Sequence, residues 1–262
     1  YMDDGYLFFN IDPVEVWAEN DSIDIEMRIF EGEQATINRV VIHGNTKTHE
    51  NVIRRELYTK PGDLFSKTNI TRSYREIANL GHFDPEKINV TPTPNIAEGT
   101  VDLTYTVEEK PNDQFEISGG WGAKMFVGTV GIRFSNFSAG RIFKKEAWSP
   151  IPSGDSQSLS LRAQTNGSFY KAFSLTFVEP WLGGKKPTNF SISIYHSIRN
   201  QYGVSIFEKS DKSMKVTGGA IGIGTRLKWP DDFFTFYNEI SYQRYGLQDW
   251  FDFIFSNGIS NN

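Results

Sequence analysis

Residues 114–137, QFEISGGWGAKMFVGTVGIRFSNF, decide the reading of this chain. Phe115, Ile117, Gly119 and Trp121 fall on one side of a period-two pattern. Phe126, Val130, Ile132 and Phe134 fall on one side of a second, whose other side carries Thr129, Arg133 and Ser135. Side chains that alternate every second residue mark strands with one apolar and one polar face. The same pattern continues downstream. Leu159, Leu161 and Ala163 oppose Ser160, Arg162 and Gln164, and Phe173, Leu175 and Phe177 oppose Ser174 and Thr176. Phe190, Ile192 and Ile194 oppose Ser191 and Ser193, and Ile221 and Ile223 oppose Gly222 and Gly224. Phe234, Phe236, Ile240 and Tyr242 oppose Thr235, Glu239, Ser241 and Gln243.

The count is about seven strands, each near the ~9–11 residues that a tilted membrane strand needs. Strands of a soluble β-sandwich usually run only ~5–6 residues. The polar faces carry Ser, Thr, Gln, Arg and Gly, as a wet lumen would. Trp121, Trp148, Trp181, Trp229, Trp250, Phe251 and Phe253 gather near strand ends, where aromatic rings favour the membrane–water interface. The pattern therefore predicts the N-terminal antiparallel strands of a transmembrane β-barrel over residues 111–262. A mean hydropathy of -0.43 does not oppose this, because lipid-facing and lumen-facing residues average out. Only closed barrels satisfy every backbone group in lipid, and about seven strands is below the ~8 of the smallest bacterial barrels. More strands are expected in the intact protein.

Upstream of a linker at Glu108–Asp113 the periodicity changes. Residues 36–110 predict an α+β unit of order β-α-α-β-β. Ile37 to Ile42 is a strand, and Thr48 is the expected N-cap of a helix bearing Val52, Ile53 and Leu57 on one face. Pro61-Gly62 breaks it. Ser66 is the expected cap of a second helix with Ile70, Tyr74, Ile77 and Leu80 at helical spacing, ended by Gly81 in the left-handed region. Ile88 to Thr91 is a short strand, Pro92, Pro94 and Gly99 mark a turn, and Val101 to Val107 alternates strictly. Residues 1–35 read as strands from the tail of a similar module. No signal peptide is visible at Tyr1-Met2-Asp3-Asp4, so it was removed or the start lies upstream.

The remaining chemistry is sparse. The chain has no cysteine, which excludes disulfides and thiolate metal sites. A net charge of -5 offers no clustered basic face for nucleic acid. His43, His49, His82 and His196 lack a metal-ligand spacing. There is no Gly-x-Ser-x-Gly elbow and no phosphate-loop lysine. The glycine-rich run 218–224 is expected to be lumen-facing strand, Glu179-Pro180-Trp181 a strand end, and Lys209, Asp211 and Lys212 part of a solvated loop. The stretches 199–214 and 247–262 are expected to be long loops. No catalytic residue, metal or cofactor is expected.

Two sets of motifs carry a resemblance. Val41 to Thr48, Ile53-Arg54-Arg55-Glu56-Leu57, Gly62-Asp63, Ser73 to Glu76, Leu80-Gly81-His82-Phe83 and Val107-Glu108-Glu109-Lys110, in that order, resemble a POTRA module. Phe115 to Gly122 and Phe177 to Gly184 are similar to the first and fourth strands of the barrel in BamA-like outer-membrane protein assembly factors. The connection 138–155 is longer than the tight turn of that pattern.

This resemblance implies a non-enzymatic insertase in the bacterial outer membrane, with POTRA modules in the periplasm. Its partners would be unfolded outer-membrane proteins, accessory lipoproteins and outer-membrane lipid. It implies that Phe115, Glu116, Ile117, Ser118, Gly119, Gly120, Trp121 and Gly122 form the first strand of a lateral gate that templates an incoming strand. Three glycines there weaken the strand interior. The edge Ile88, Asn89, Val90 and Thr91 would receive a peptide or an accessory protein. The alternative is a two-partner secretion exporter, which joins POTRA modules to a pore.

Overall fold

A computed structural model describes residues 1–19, 21–122, 125–167, 169–200 and 212–248. They fall into two units, 1–111 and 112–262.

In the first unit, β1 (Asn10–Glu19) and β2 (Ser22–Phe30) form an antiparallel hairpin. Then come β3 (Thr36–His43), α1 (Glu50–Arg54), α2 (Lys67–Asn79), β4 (Asn89–Asn95) and β5 (Thr100–Thr106). The three later strands make one sheet of order β3-β5-β4, with β5 parallel to β3 and antiparallel to β4. The two helices lie in the crossover between the parallel strands, as such a connection requires. Val101, Leu103 and Tyr105 of β5 are fully buried, and pack with Ile37 and Val40 of β3, Ile53 of α1 and Ile77 of α2. Each such aliphatic burial stabilises by about 1.5–3 kcal/mol. The buried Tyr105 hydroxyl, raised in pKa by burial, is 2.8 Å from the Thr59 hydroxyl, which satisfies it.

Ser66 caps α2, its Oγ accepting from the Asn69 N–H at 3.2 Å, and Gly81 follows with φ +73°. Three local expectations are corrected. Thr48 does not cap α1; His49 precedes it, and the Thr48 N–H donates to Glu109 Oε1 at 2.6 Å. Residues 1–9 form turns, not strands. Met2, Leu7 and Phe8 pack against the core of 35–110, and the Asp3 carboxylate accepts from the Thr68 N–H at 2.7 Å and from the hydroxyls of Thr68 and Ser66. The strand begun at 88–91 instead starts at Asn89 and runs on through Pro92 and Pro94, read above as a turn. Alternate prolines are tolerated at a sheet edge when their nitrogens face away from the ladder.

The second unit is a seven-stranded antiparallel meander among the described residues. Its strands are β6 (Gln114–Gly122), β7 (Met125–Phe137), β8 (Gln157–Asn166), β9 (Tyr170–Glu179), β10 (Thr188–Asn200), β11 (Ser213–Arg226) and β12 (Thr235–Gln248). Each pairs only with its sequence neighbours, so β6 and β12 are the two edges. The register lines up Phe115, Ile132, Leu161, Leu175, Ile194, Gly219 and Tyr242 in one row on the apolar face. The next row is Ile117, Val130, Ala163, Phe173, His196, Thr217 and Arg244. Most of these apolar side chains are exposed, as a lipid-facing surface is in the absence of lipid. Lys209, Asp211, Trp250, Phe251, Phe253 and most of the two long loops lie outside the described residues.

The exit from the first unit is stapled. Val107 N–H donates to the His43 carbonyl at 2.9 Å, and Lys110 N–H to that of His82 at 2.9 Å. Between them, Glu109 accepts from the Thr46 hydroxyl at 2.6 Å, the Lys47 N–H at 2.9 Å and the Thr48 N–H at 2.6 Å. Partial burial opposes ionisation of this carboxyl, but the donors outweigh it and hold its pKa below the ordinary glutamate value.

Two predictions follow from this staple. Gly44 has φ +95°, and a Cβ there would stand 1.8 Å from the Val107 carbonyl oxygen. Gly44→Ala should therefore destabilise the POTRA-like unit by at least the ~1–3 kcal/mol typical of a strained backbone, read by denaturant unfolding. The folded-state pKa of Glu109 lies below its unfolded value. Its stabilisation is thus present above the ordinary glutamate range and lost as pH falls through the depressed value. Thermal unfolding against pH should show a shallower acid limb in Glu109→Gln than in the parent; identical limbs would contradict the staple.

Candidate functional site: the first strand of the barrel sheet

β6 follows the first unit directly in sequence, and its start is held by side chains. Ser135 N–H donates to Asp113 Oδ1 at 3.1 Å, and its hydroxyl donates to the Asn112 carbonyl at 3.0 Å. Two residues into the strand, Glu116 on the polar face accepts from Arg162 Nη2 of β8 at 3.1 Å. That tie skips a strand. It passes over Gly131 of β7, where a Cβ would lie 3.3 Å from both Glu116 Cβ and Oε2. Both partners are about half exposed, so the pair itself is worth only ~0–1 kcal/mol. Its role is to fix the lateral position of the strand.

The far half of β6 has no such hold among the described residues. Gly119 pairs with Gly128, and a Cβ at Gly120 would meet nothing within 4 Å. Phe115, Ile117 and Trp121 stand out from the apolar face at 72%, 81% and 72% exposure. Ser118 lies on the polar side, opposite Thr129. The eight residues assigned from the sequence to a gate strand, Phe115 to Gly122, thus lie together on one edge strand. Its outer side has no neighbour among the described residues. A strand edge of this kind can pair with a further strand. Its glycines reduce the side-chain packing that would hold it to any one partner. The sequence reading missed Asp113, Ser135 and the Glu116–Arg162 tie. The signal was an acid and an arginine on polar faces with a glycine between them, legible only once the register is known.

The other assigned group divides. Ile88 is 7% exposed, precedes β4 and belongs to the core, so it offers nothing to a partner. Asn89 and Thr91 are exposed and Val90 half-buried. β4 is an edge of its sheet, but Pro92 and Pro94 remove two N–H donors from one side of it. Edge prolines of this kind blunt strand addition. Among the described residues no group of three or more His, Cys, Asp or Glu could hold a metal ion.

Residues 35–110 match the family model described as POTRA, surface antigen variable number repeat. The outer membrane protein assembly factor BamA of Neorickettsia risticii (strain Illinois) is 32% identical over 134 residues, covering 51% of this chain and 17% of that protein. The chain therefore spans less than a fifth of this relative's length. In fold, the crystal structure of BamA from Haemophilus ducreyi lacking POTRA domains 1–3 superposes on all of this chain and 46% of its own, with a TM-score of 0.69 at 16% identity. CdiB from Acinetobacter baumannii covers 94% of this chain and 44% of its own, with a TM-score of 0.52 at 14% identity. The chain is thus a POTRA domain followed by the first antiparallel strands of a transmembrane β-barrel, similar in sequence to BamA assembly factors and sharing the fold of a BamA barrel.

Proposed function

We propose that this chain is the POTRA–barrel junction of a non-enzymatic assembly factor that folds and inserts β-barrel proteins into the bacterial outer membrane, with its POTRA domain in the periplasm. The observation that carries the reading is β6. It is an edge strand with an apolar outward face, side-chain ties at its start and glycines along its far half. An incoming strand gains a ladder of backbone hydrogen bonds there without needing any particular side chains. Generality over substrates follows, because the ladder is sequence-independent and the period-two alternation is shared by every barrel strand. Release follows as well, since three glycines give the paired strand little to pack against.

The substrates in this reading are unfolded outer-membrane proteins, and accessory lipoproteins dock on the periplasmic unit. The blunted β4 edge points such partners to other POTRA surfaces, or to Asn89–Thr91 alone. A second reading, a two-partner-secretion-type exporter pore, shares the POTRA-plus-barrel fold. The weaker fold likeness to CdiB than to BamA makes it the second choice.

A photo-crosslinking residue at Ile117, in the complete protein in cells, tests the choice. Crosslinks to the terminal strand of an outer-membrane protein during its assembly are expected. Crosslinks confined to the protein's own last strand, with an exported soluble protein accumulating in the periplasm when the POTRA domain is deleted, would replace the insertase reading by the exporter.

A further inference from the structure

The connection between β7 and β8 is a built structure. Ser138 is fully buried; its N–H donates to the Pro152 carbonyl at 3.0 Å and its hydroxyl to Asp155. Ala139 N–H donates to Gln157 Oε1 at 2.6 Å, and Gln157 Nε2 donates onward to Glu179 Oε2 at 2.6 Å, at the end of β9. Gly154 N–H and Ser156 N–H are taken by the backbone and side-chain oxygens of Asn136. On this firm stem, residues 139–148 hold Phe143 at 97% exposure, with Trp148 and Ile142 beside it. Trp148 Nε1 donates to the Ile142 carbonyl at 2.8 Å, so the indole is satisfied within the loop and its ring stays outside. Lys144 and Lys145 follow Phe143 directly, and the segment holds three cations against one carboxylate.

A hydrogen-bonded stem that displays a bare phenylalanine and lysines has the composition of an interfacial anchor: an apolar body for the acyl boundary and cations for headgroups. The loop leaves β7 three residues past Phe134, which lies on the apolar face, so its place is where that face meets the headgroup region. The two other connections at this end also expose apolar side chains: Leu182 beside Lys185 and Lys186, and Trp229 and Phe233, at 84% and 80% exposure, beside Lys228, Asp231 and Asp232 in the β11–β12 connection. This is the end at which β6 begins, the periplasmic end in the reading above.

We propose that the 139–148 loop anchors the barrel in the periplasmic leaflet. Phe143 inserts among the lipids, and Lys144 and Lys145 bind anionic phospholipid headgroups. The anchor rests on the membrane placement of the sheet and not on insertase activity. It adds a fixed point beside the first two barrel strands, on the element that also positions the start of β6.

The test labels single cysteines with an environment-sensitive fluorophore in the complete protein, otherwise free of reactive cysteine. The labels sit at Phe143→Cys and, as a control, at Ile240→Cys on the apolar face. The protein is reconstituted in phosphatidylethanolamine vesicles with and without phosphatidylglycerol, using lipids with and without a quencher in the upper acyl chain. The label at 143 should be quenched and blue-shifted with phosphatidylglycerol present, and should lose that response in Lys144→Gln/Lys145→Gln. The label at 240 should be quenched throughout. If 240 is quenched and 143 keeps its aqueous emission in both lipids, the anchor is overturned while the barrel stands. If 240 also escapes quenching, the membrane reading of the sheet fails. A blue shift at 143 that needs an added periplasmic protein and no quencher would assign the loop to protein docking and overturn the lipid proposal.

Discussion

A peptide group in hydrocarbon has no water to pair with, and leaving it unpaired costs several kcal/mol. That constraint organises the second unit. It imposes the ladder from β6 to β12. Alternation of side chains is the second consequence. With the backbone committed to the ladder, only the side chains distinguish lipid from lumen, and they do so with period two. The row from Phe115 to Tyr242 and the polar row through Glu116, Gly131 and Arg162 are one pattern seen from two sides. In a soluble sheet an edge strand is a hazard to be blunted. β4 follows that rule with Pro92 and Pro94, whereas β6 has no proline among its residues and keeps its donors.

The POTRA domain answers a different problem. Its core is ordinary, built on Val101, Leu103 and Tyr105 against two helices, and this sets its stability. What the core does not set is where the chain leaves. Val107, Glu109 and Lys110 are hydrogen-bonded to the loops at 43–48 and 82, so the strand continues past the end of β5 as a held segment. Gly44 is the condition for that close approach, because any side chain there would overlap the Val107 carbonyl. The linker read at Glu108–Asp113 divides between the two units. Its first residues belong to the POTRA domain, and Asn112 and Asp113 are tied to Ser135 of the barrel sheet.

The sequence was legible where a structural signal is local and periodic. Val101 to Val107, the barrel strands, the Ser66 cap and the positive φ of Gly81 all follow from spacing or from one residue's stereochemistry. It was illegible where a contact spans the chain. Thr48 has the side chain of a helix cap, but Glu109, 61 residues away, claims its backbone N–H. Asp3 serves the start of α2 from 65 residues upstream, which turned an apparently strand-like N-terminus into a docked turn. Pro92 and Pro94 carry the composition of a turn. They sit in a strand because β5 offers a ladder on the one side they do not obstruct. In the candidate site the glycines of β6 were visible as residue types, but the tie that anchors its other half required the register.

That tie recurs, and its recurrence explains two glycines of the polar face, Gly131 and Gly222. Neighbouring strands lie about 4.8 Å apart, so side chains two strands apart meet only by leaning over the strand between them. Ser191 of β10 and Tyr237 of β12 do so at 3.0 Å above Gly222 of β11, where a Cβ would be 2.0 Å from the Tyr237 hydroxyl. Glu116 and Arg162 do so above Gly131. At these two positions the middle-strand glycine is a slot for a polar tie, and the sheet gains lateral hold at the cost of that glycine's own packing. The glycines of β6 lie in an edge strand, with no described strand beyond them, so no such tie bridges them. They keep the packing cost without the lateral gain. The described side-chain tie of β6 thus lies near its start, at Glu116.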